Sequence, residues 1–560
     1  MGTELPVRRG AVAFLVLAVG GLAVLGRLVQ LQVVEHSRWV RAAQAVQEDL
    51  IELPSRRGTI YDRNGTALAY DVPAWAIALD NSLITKPELL VDLAVRELGL
   101  PRSEVLTKVY REGYFTWLDR KVDYEAGRRL RDRARELGAR GLLFFPTWKR
   151  AYPQGPLALP VLGVVGVDGE GLAGLELVFD SQLRGKPQRI RVLRNARGQV
   201  QDLWVESQGV PGKDLRLTLD SRIQWACEEE IEDGLSKYAG AERGFALMMD
   251  PRTGEVLALA HGPRPDPEKP DPALLNPWAI TQVFEPGSTF KALTGMIAFE
   301  LGVAGEEELF SGDSPFVVRG VPIKNARGQS YGTVDFKRAM AQSINTVFVQ
   351  VALRVGKDRM VEHLRRLGFG ARTGIELPGE VEGIVRPSDK WTELDLAVSS
   401  FGQGIAVTGI QLGTAFCAMA NGGNLVCPRL LPGPTEVRGR AASPQACERI
   451  RAVLGYIVGL QASTGWLAYV PGYKVGGKSG TAEMAVPGRG YVPDHVTTGM
   501  AAFFPWDRPE YVLIVVYQTT DNPEFWSGQN AVPSAGNIVR RLAALGVIRP
   551  YDKTALGRSG

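Results

Sequence analysis

Residues 285–295 read EPGSTFKALTG: a Pro-Gly break, a serine directly after it, and a helix-forming run with a lysine three positions on. Three residues is just under one helical turn, so Ser288 and Lys291 share a face close to a helix N-terminus. This pairs a nucleophile with a base. A lysine of ordinary pKa, about 10.4, is protonated at neutral pH, and using it as a base unaided costs on the order of 4–5 kcal/mol. Burial together with a neighbouring cation brings such a lysine to roughly pH 7–8, so a second positive charge is expected at the same site. The helix N-terminus adds its partial positive charge and free N–H groups where an oxyanion forms.

Alone, the spacing says little. With 22 serines and 16 lysines in 560 residues, roughly 0.6 Ser-x-x-Lys matches arise by chance, and a capping serine with a surface lysine explains one. Ser288-Thr289-Phe290-Lys291 is nevertheless the chain's only match, and two further patterns follow it. They are Ser343-Ile344-Asn345 and Lys478-Ser479-Gly480, each also unique of its kind. The ordered triplet is expected by chance well under once in about a hundred such chains.

The three pieces complement one another chemically. Lys478 supplies the cation that keeps Lys291 from holding its proton, and Ser343 relays a proton toward a leaving amine. Asn345 holds the lysine and donates to a substrate amide. On a strand, Ser479 and Thr481 point the same way and form a hydroxyl pair suited to a carboxylate. Gly480 lets a substrate backbone lie against the strand edge. The N–H groups of Ser288 and Thr481 are the expected oxyanion hole, each such donor being worth about 10²–10³ in rate.

The bulk properties leave room for this chemistry. A 560-residue chain with 45% apolar residues predicts two or three folded domains, and a net charge of +4 gives no reason to expect nucleic acid. The four histidines, His36, His261, His363 and His495, are scattered, and no Cys/His cluster has metal-ligand spacing, so neither metal nor cofactor is expected. Four cysteines do not make a disulfide scaffold, although a Cys417–Cys427 bridge is compatible with the sequence.

The N-terminus is uncharged from Gly10 to Gly26 and continues apolar to Val34 past Arg27, long enough to cross a bilayer. A cleaved signal peptide is the competing reading, but its apolar core is usually only about 7–15 residues. Arg8 and Arg9 place the short tail inside and the rest of the chain outside. The expected organisation is a tail (1–10), an anchor (11–34), a support module (35–212), a catalytic region (213–550) and a C-terminal tail (551–560). Within the support module, LPSRRGTIYDRNGTALAY (53–70) reads as a hairpin turning at Asn64-Gly65, and residues 83–140 read as charged amphipathic helices. In the catalytic region, GFALMMDPRTGEVLALA (244–260) gives two strands, TGMAAFFP and YVLIVVYQ give two more, and a last helix starts near Gly536. Early and late strands in one sheet with helices between them predict an α+β fold.

The three motifs resemble those of the penicillin-binding serine acyltransferases. RRGTIYDRNG (56–65) and the anchor ending GRLVQLQV are similar to the pedestal and anchor of class B penicillin-binding proteins. FEPGSTFK, TGIELPGE and FGQGIAVTGIQL resemble the division-type, FtsI-like members, while Gly409 in place of proline and Glu483 after KSGTA depart from them. The resemblance implies an antiparallel transpeptidase domain of the penicillin-binding and serine β-lactamase kind, carried on an N-terminal pedestal and one membrane helix. It implies a membrane-anchored, septal D,D-transpeptidase that joins stem peptides ending in D-Ala-D-Ala through a serine acyl-enzyme and is trapped by β-lactams. It also implies an FtsW-like, alternatively RodA-like, SEDS glycosyltransferase partner on the anchor and pedestal, with other divisome proteins.

Other readings remain at this stage. An elongation-type transpeptidase would share all three motifs. A carboxypeptidase or β-lactamase-like hydrolase would need a group that activates water, for which Glu483 is a candidate. A transmembrane β-lactam receptor would need further spans and a protease motif such as His-Glu-x-x-His, and neither occurs. A divisome scaffold would need the support module more than the serine.

Overall fold

The stretches GFALMM, VLALA and VLIVVY of the catalytic region are apolar throughout because both of their faces are covered. In the computed structural model, residues 4–39, 48–111, 115–194, 200–486 and 488–551 are described. A first helix, α1 (Ser221–Lys237), precedes β1 (Arg243–Met249) and β2 (Val256–Gly262), which are joined by the turn expected at Asp250–Gly254. The late strands are β3 (Gly476–Val486), β4 (Gly490–Phe504) and β5 (Tyr511–Thr519). All five form one antiparallel sheet in the order β2-β1-β5-β4-β3, so early and late strands do share a sheet. β3 is its edge.

Alternation along the strands sends Phe245, Leu247, Met249, Ile514 and Val516 into one core and Ala246, Met248, Leu513, Val515 and Tyr517 into another. The first core is shared with α2 (Lys291–Glu300), α3 (Asn345–Val355) and α4 (Gly409–Ala420), and the second with α1 and α5 (Ala531–Ala544). Each fully buried Val, Leu, Ile or Phe contributes roughly 1.5–3 kcal/mol. A charge at Val516, fully buried in the first core, would therefore break the sheet from its helices.

Gly409 has a physical reason. It opens α4 directly after Thr408, whose side chain accepts from Gln411 N at 3.2 Å while Gln411 Oε1 accepts from Thr408 N at 3.1 Å. A Cβ at Gly409 would stand 2.5 Å from the Phe245 ring, so this helix packs closer to β1 than a proline permits.

The segment before the catalytic region is richer in strands than its sequence suggests. The helices Pro87–Leu98, Arg102–Val109 and Tyr124–Glu136 lie where expected, but TWLDRKVD between them is a strand (Thr116–Asp123) beside Ala67–Leu79. Only Thr116, Leu118 and Val122 of that strand are buried, so its charges hide the alternation. Leu142–Ala151 pairs on the other side of Ala67–Leu79, and Glu48–Leu53, Gln188–Arg194 and Val200–Ser207 form a separate sheet.

The expected hairpin at 53–70 is also shorter on its first arm. Only Ile60–Tyr61 pairs with Ala67–Leu79, and residues 54–59 carry Arg57 inward instead. Arg57, 3% exposed, bonds to Glu176, to Asp180 at 2.6 Å and to Gly169 O at 2.9 Å, while Arg150 reaches Glu176 at 2.7 Å and Asp71 at 3.1 Å. The turn then docks on the catalytic region. Asp62 accepts from Ser221 Oγ (2.7 Å) and N (3.1 Å), Asn64 donates to Asp220 (3.0 Å), and Arg63 N donates to Leu219 O (2.8 Å). The stretch is thus a fastener as well as a hairpin.

The last helix begins at Ala531, five residues before the expected start, capped by Asn530. All four cysteines are free: Cys417 packs against Met249 sulfur at 4.0 Å and does not bridge to Cys427. At the N-terminus, Gly10–Val34 is a helical segment of 25 residues, long and apolar enough to span a membrane.

Candidate active site

The serine is presented by a tight turn. Gly287–Phe290 forms one 3-10 turn that runs directly into α2. Gly287 has φ +55°, and a Cβ there would lie 2.8 Å from Thr481 O, so no other residue fits without movement. Its N–H donates to Gly402 O at 3.1 Å. Ser288 is half-buried, while Thr289, Phe290 and Lys291 are buried. The turn presses on β3, where a Cβ at Gly480 would stand 2.7 Å from both Pro286 O and Thr289 N. Gly480 therefore makes room for the serine turn.

Lys291 is fully buried and held by three oxygens: Ser343 O at 2.6 Å, Asn345 Oδ1 at 2.6 Å and Ser343 Oγ at 3.1 Å. Ser343 takes φ +56°, rare for a residue with a Cβ, and sits between the short helix Phe336–Ala341 and α3. Asn345 Nδ2 donates to Lys324 O at 2.9 Å, so one of its two N–H donors is committed within the protein. The rings of Phe348 and Phe401 lie 5.5 and 6.0 Å from the ammonium.

Lys478 is also fully buried on β3 and donates to Ser479 O at 2.9 Å. Burial pushes its pKa down to about 7. Lys291 lies well below the usual lysine range, by burial first and by the positive charge of Lys478 second. The structure thus brings Lys291, Ser343, Asn345 and Lys478 together, with Ser288 one turn above Lys291. A neutral Lys291 has two N–H donors, which match Ser343 O and Asn345 Oδ1, and one lone pair that can take a proton.

Ser479 and Thr481 lie on the same side of β3, the first buried and the second half-buried. Thr481 Oγ1 donates to Ser527 Oγ at 3.1 Å and accepts from Ser527 N at 3.2 Å. Ser527 was not legible in the sequence, since SGQ carries no pattern of its own. Glu285 was missed as well: it takes Tyr491 OH at 2.9 Å and Gly404 N at 2.8 Å, tying the serine segment to β4. Glu483 is exposed. Among the described residues, no group of three His, Cys, Asp or Glu side chains could hold a metal ion.

The catalytic region is thus a five-stranded antiparallel sheet with a serine turn against an edge strand and two buried lysines nearby. The penicillin-binding protein transpeptidase domain matches residues 244–542, and the penicillin-binding protein dimerisation domain matches residues 52–217. The chain is 30% identical over 518 residues to stage V sporulation protein D of Bacillus subtilis, covering 88% of this chain and 78% of that one. It is 28% identical over 529 residues to the peptidoglycan D,D-transpeptidase FtsI of Escherichia coli, covering 92% and 88%. Penicillin-binding protein 3 of Mycobacterium tuberculosis, solved with aztreonam, superposes with a TM-score of 0.66 at 27% identity over 90% of this chain and 99% of that one. This chain belongs to the class B penicillin-binding proteins and is a peptidoglycan D,D-transpeptidase.

Proposed function

We propose that Ser288 is the nucleophile of this transpeptidase, with Lys291 as its base. Neutral Lys291 takes the Ser288 proton as Oγ bonds to the penultimate D-Ala carbonyl of a donor stem peptide. The C–N bond to the terminal D-Ala breaks, and the proton passes through Ser343 to that leaving amine. The amine of a second stem then attacks the ester, closes the cross-link and returns the proton to Ser288. Lys478 stays charged and disfavours protonation of Lys291, while Ser479 and Thr481 receive the substrate carboxylate and Asn345 orients the base. The N–H groups of Ser288 and Thr481 form the oxyanion hole, and Gly480 lets the turn and β3 meet closely enough to build it. The observation that carries this reading is the burial of Lys291 beside Lys478, which removes the proton a base cannot hold.

The catalytic region is taken as residues 213–550 and the pedestal as 35–212, with the tail inside and the catalytic region outside the membrane, in keeping with Arg8 and Arg9. The division-type stretches around Ser288 and at 401–412 favour a septal role with an FtsW-like SEDS glycosyltransferase on the anchor and pedestal. Replacing Ser288 with Ala is expected to abolish labelling by a fluorescent penicillin without changing the thermal unfolding midpoint. Undiminished labelling would remove Ser288 from the mechanism. A tagged copy is expected at mid-cell, and a sidewall distribution would assign it to elongation.

A further inference from the structure

One arginine on the catalytic face lacks the anion its surroundings are built to receive. Arg243, the first residue of β1, stacks its guanidinium 4.6 Å from the centre of the Trp278 ring, and its Nε donates to Gln518 Oε1 at 2.8 Å. Gln518 is 3% exposed and is itself fixed by donating from Nε2 to Thr497 Oγ1 at 3.0 Å. The guanidinium is therefore oriented from two sides before any ligand arrives. Among the described residues no carboxylate lies within ion-pairing distance of it, because the adjacent Glu242 is turned to Thr520, whose N–H it accepts at 2.9 Å. No acceptor among the described residues faces Nη1 or Nη2. Burial holds its pKa below the usual arginine range, against the opposing pull of the nearby Glu242 charge. Arg243, Gln518 and Glu242 line a cavity of about 430 Å³ with Gln282, Trp278, Met484 and Thr520.

Sheet register places the cavity relative to the serine. Ala482, Thr497, Gln518 and Arg243 are paired one to the next across β3, β4, β5 and β1. Paired residues project to one face, and Ala482 lies two residues beyond Gly480, so this is the face on which the serine turn sits. Three strand spacings of about 4.8 Å put Arg243 about 14 Å across the sheet from β3. Gln282 lies on the segment that leads into Ser288.

We propose that this cavity is a subsite for a carboxylate of the peptide substrate, received in bidentate fashion by Nη1 and Nη2 of Arg243 over the Trp278 ring. The inference rests on the acyl-transfer reading above and adds to it the substrate group that is held away from the reacting bond. Steady-state turnover of two soluble stem-peptide substrates tests it, one with its internal carboxylates free and one with them converted to carboxamides. The wild-type protein is expected to favour the acid over the amide about tenfold in kcat/KM, through KM. The preference should fall to about one in Arg243→Ala and recover in part in Arg243→Lys, which keeps the charge without the fork. Equal turnover of the two peptides by the wild type, or a preference unchanged in Arg243→Ala, overturns the subsite. Failure of the acyl-transfer reading is seen separately, as wild-type protein that does not form a Ser288 penicillin adduct.

Discussion

Ser343 shows how one residue serves the site twice. Its left-handed backbone turns the carbonyl onto Lys291 at 2.6 Å, while its hydroxyl approaches the same nitrogen at 3.1 Å. Replacing Ser343 with Ala keeps the carbonyl and so should leave Lys291 in place. Penicillin acylation is then expected to slow by about 10²-fold or more through loss of the proton relay, with the unfolding midpoint unchanged. Lys478 carries the opposite tension, since the proposed mechanism needs its charge while its burial disfavours that charge. A lysine lowered from 10.5 to about 7 is destabilising by up to about 4–5 kcal/mol wherever it is charged in the folded state, at 1.36 kcal/mol per pKa unit. The folded pKa is depressed, so this penalty is full below pH 7 and fades as pH rises toward 10.5. Lys478→Met is therefore expected to unfold at a higher temperature than wild type at pH 6, with the gain shrinking by pH 10, while losing activity. In the wild type, acylation should fall on the acid side as Lys291 gains a proton. It should also fall above about pH 7 as Lys478 loses its own, which stopped-flow acylation across pH measures.

At the scale of elements, the contact between β3 and the serine turn decides whether the site exists. Gly480→Ala would drive a methyl to 2.7 Å from two backbone atoms, neither of which can rotate away. The strand and turn must part, and acylation is expected to drop by at least about tenfold because the oxyanion donors lose their spacing. Wild-type acylation kinetics in Gly480→Ala would show that the turn has slack. This contact also explains what was legible in the sequence. Ser288, Lys291, Ser343, Asn345 and Lys478 are read from local spacing, because each chemical pair lies within one turn or one strand. Their convergence is set by sheet order, which the doubly buried strands β1 and β5 announce by long apolar runs, GFALMM and VLIVVY. Thr116–Asp123 was hidden because its burial uses only three of eight positions, with charges filling the remainder. Ser527 and Glu285 escaped because their partners, Thr481 and Tyr491, lie 46 and 206 residues away. The packing of Gly480 against the serine turn escapes the sequence for the same cause, a neighbour brought in by tertiary packing.

For the molecule as a whole, the fastener at Asp62–Gly65 links the pedestal to the start of α1. Asp62 is fully buried and does two jobs: Oδ1 closes its own turn on Asn64 N and Thr66 N, both at 2.8 Å, and Oδ2 takes Ser221 N and Oγ. Hydrogen bonds to a charged group are worth roughly 1.5–3 kcal/mol each, and removing Asp62 leaves several donors buried without partners. The catalytic site shares none of these atoms, and Ser288, Lys291 and Lys478 sit in elements whose packing is completed by α2, α3 and β4. Asp62→Ala is therefore expected to loosen the pedestal and spare the chemistry. Full-length protein in detergent should show faster proteolytic cleavage near residues 208–220 and a lower first unfolding transition, with penicillin acylation within about twofold of wild type. Asn64→Ala, which removes only the 3.0 Å bond to Asp220 and leaves the turn intact, should produce the same pattern more weakly. If either substitution abolished acylation while the catalytic region stayed folded, the fastener would have to be regarded as part of the active site's support and not only as a link between the two halves of the chain.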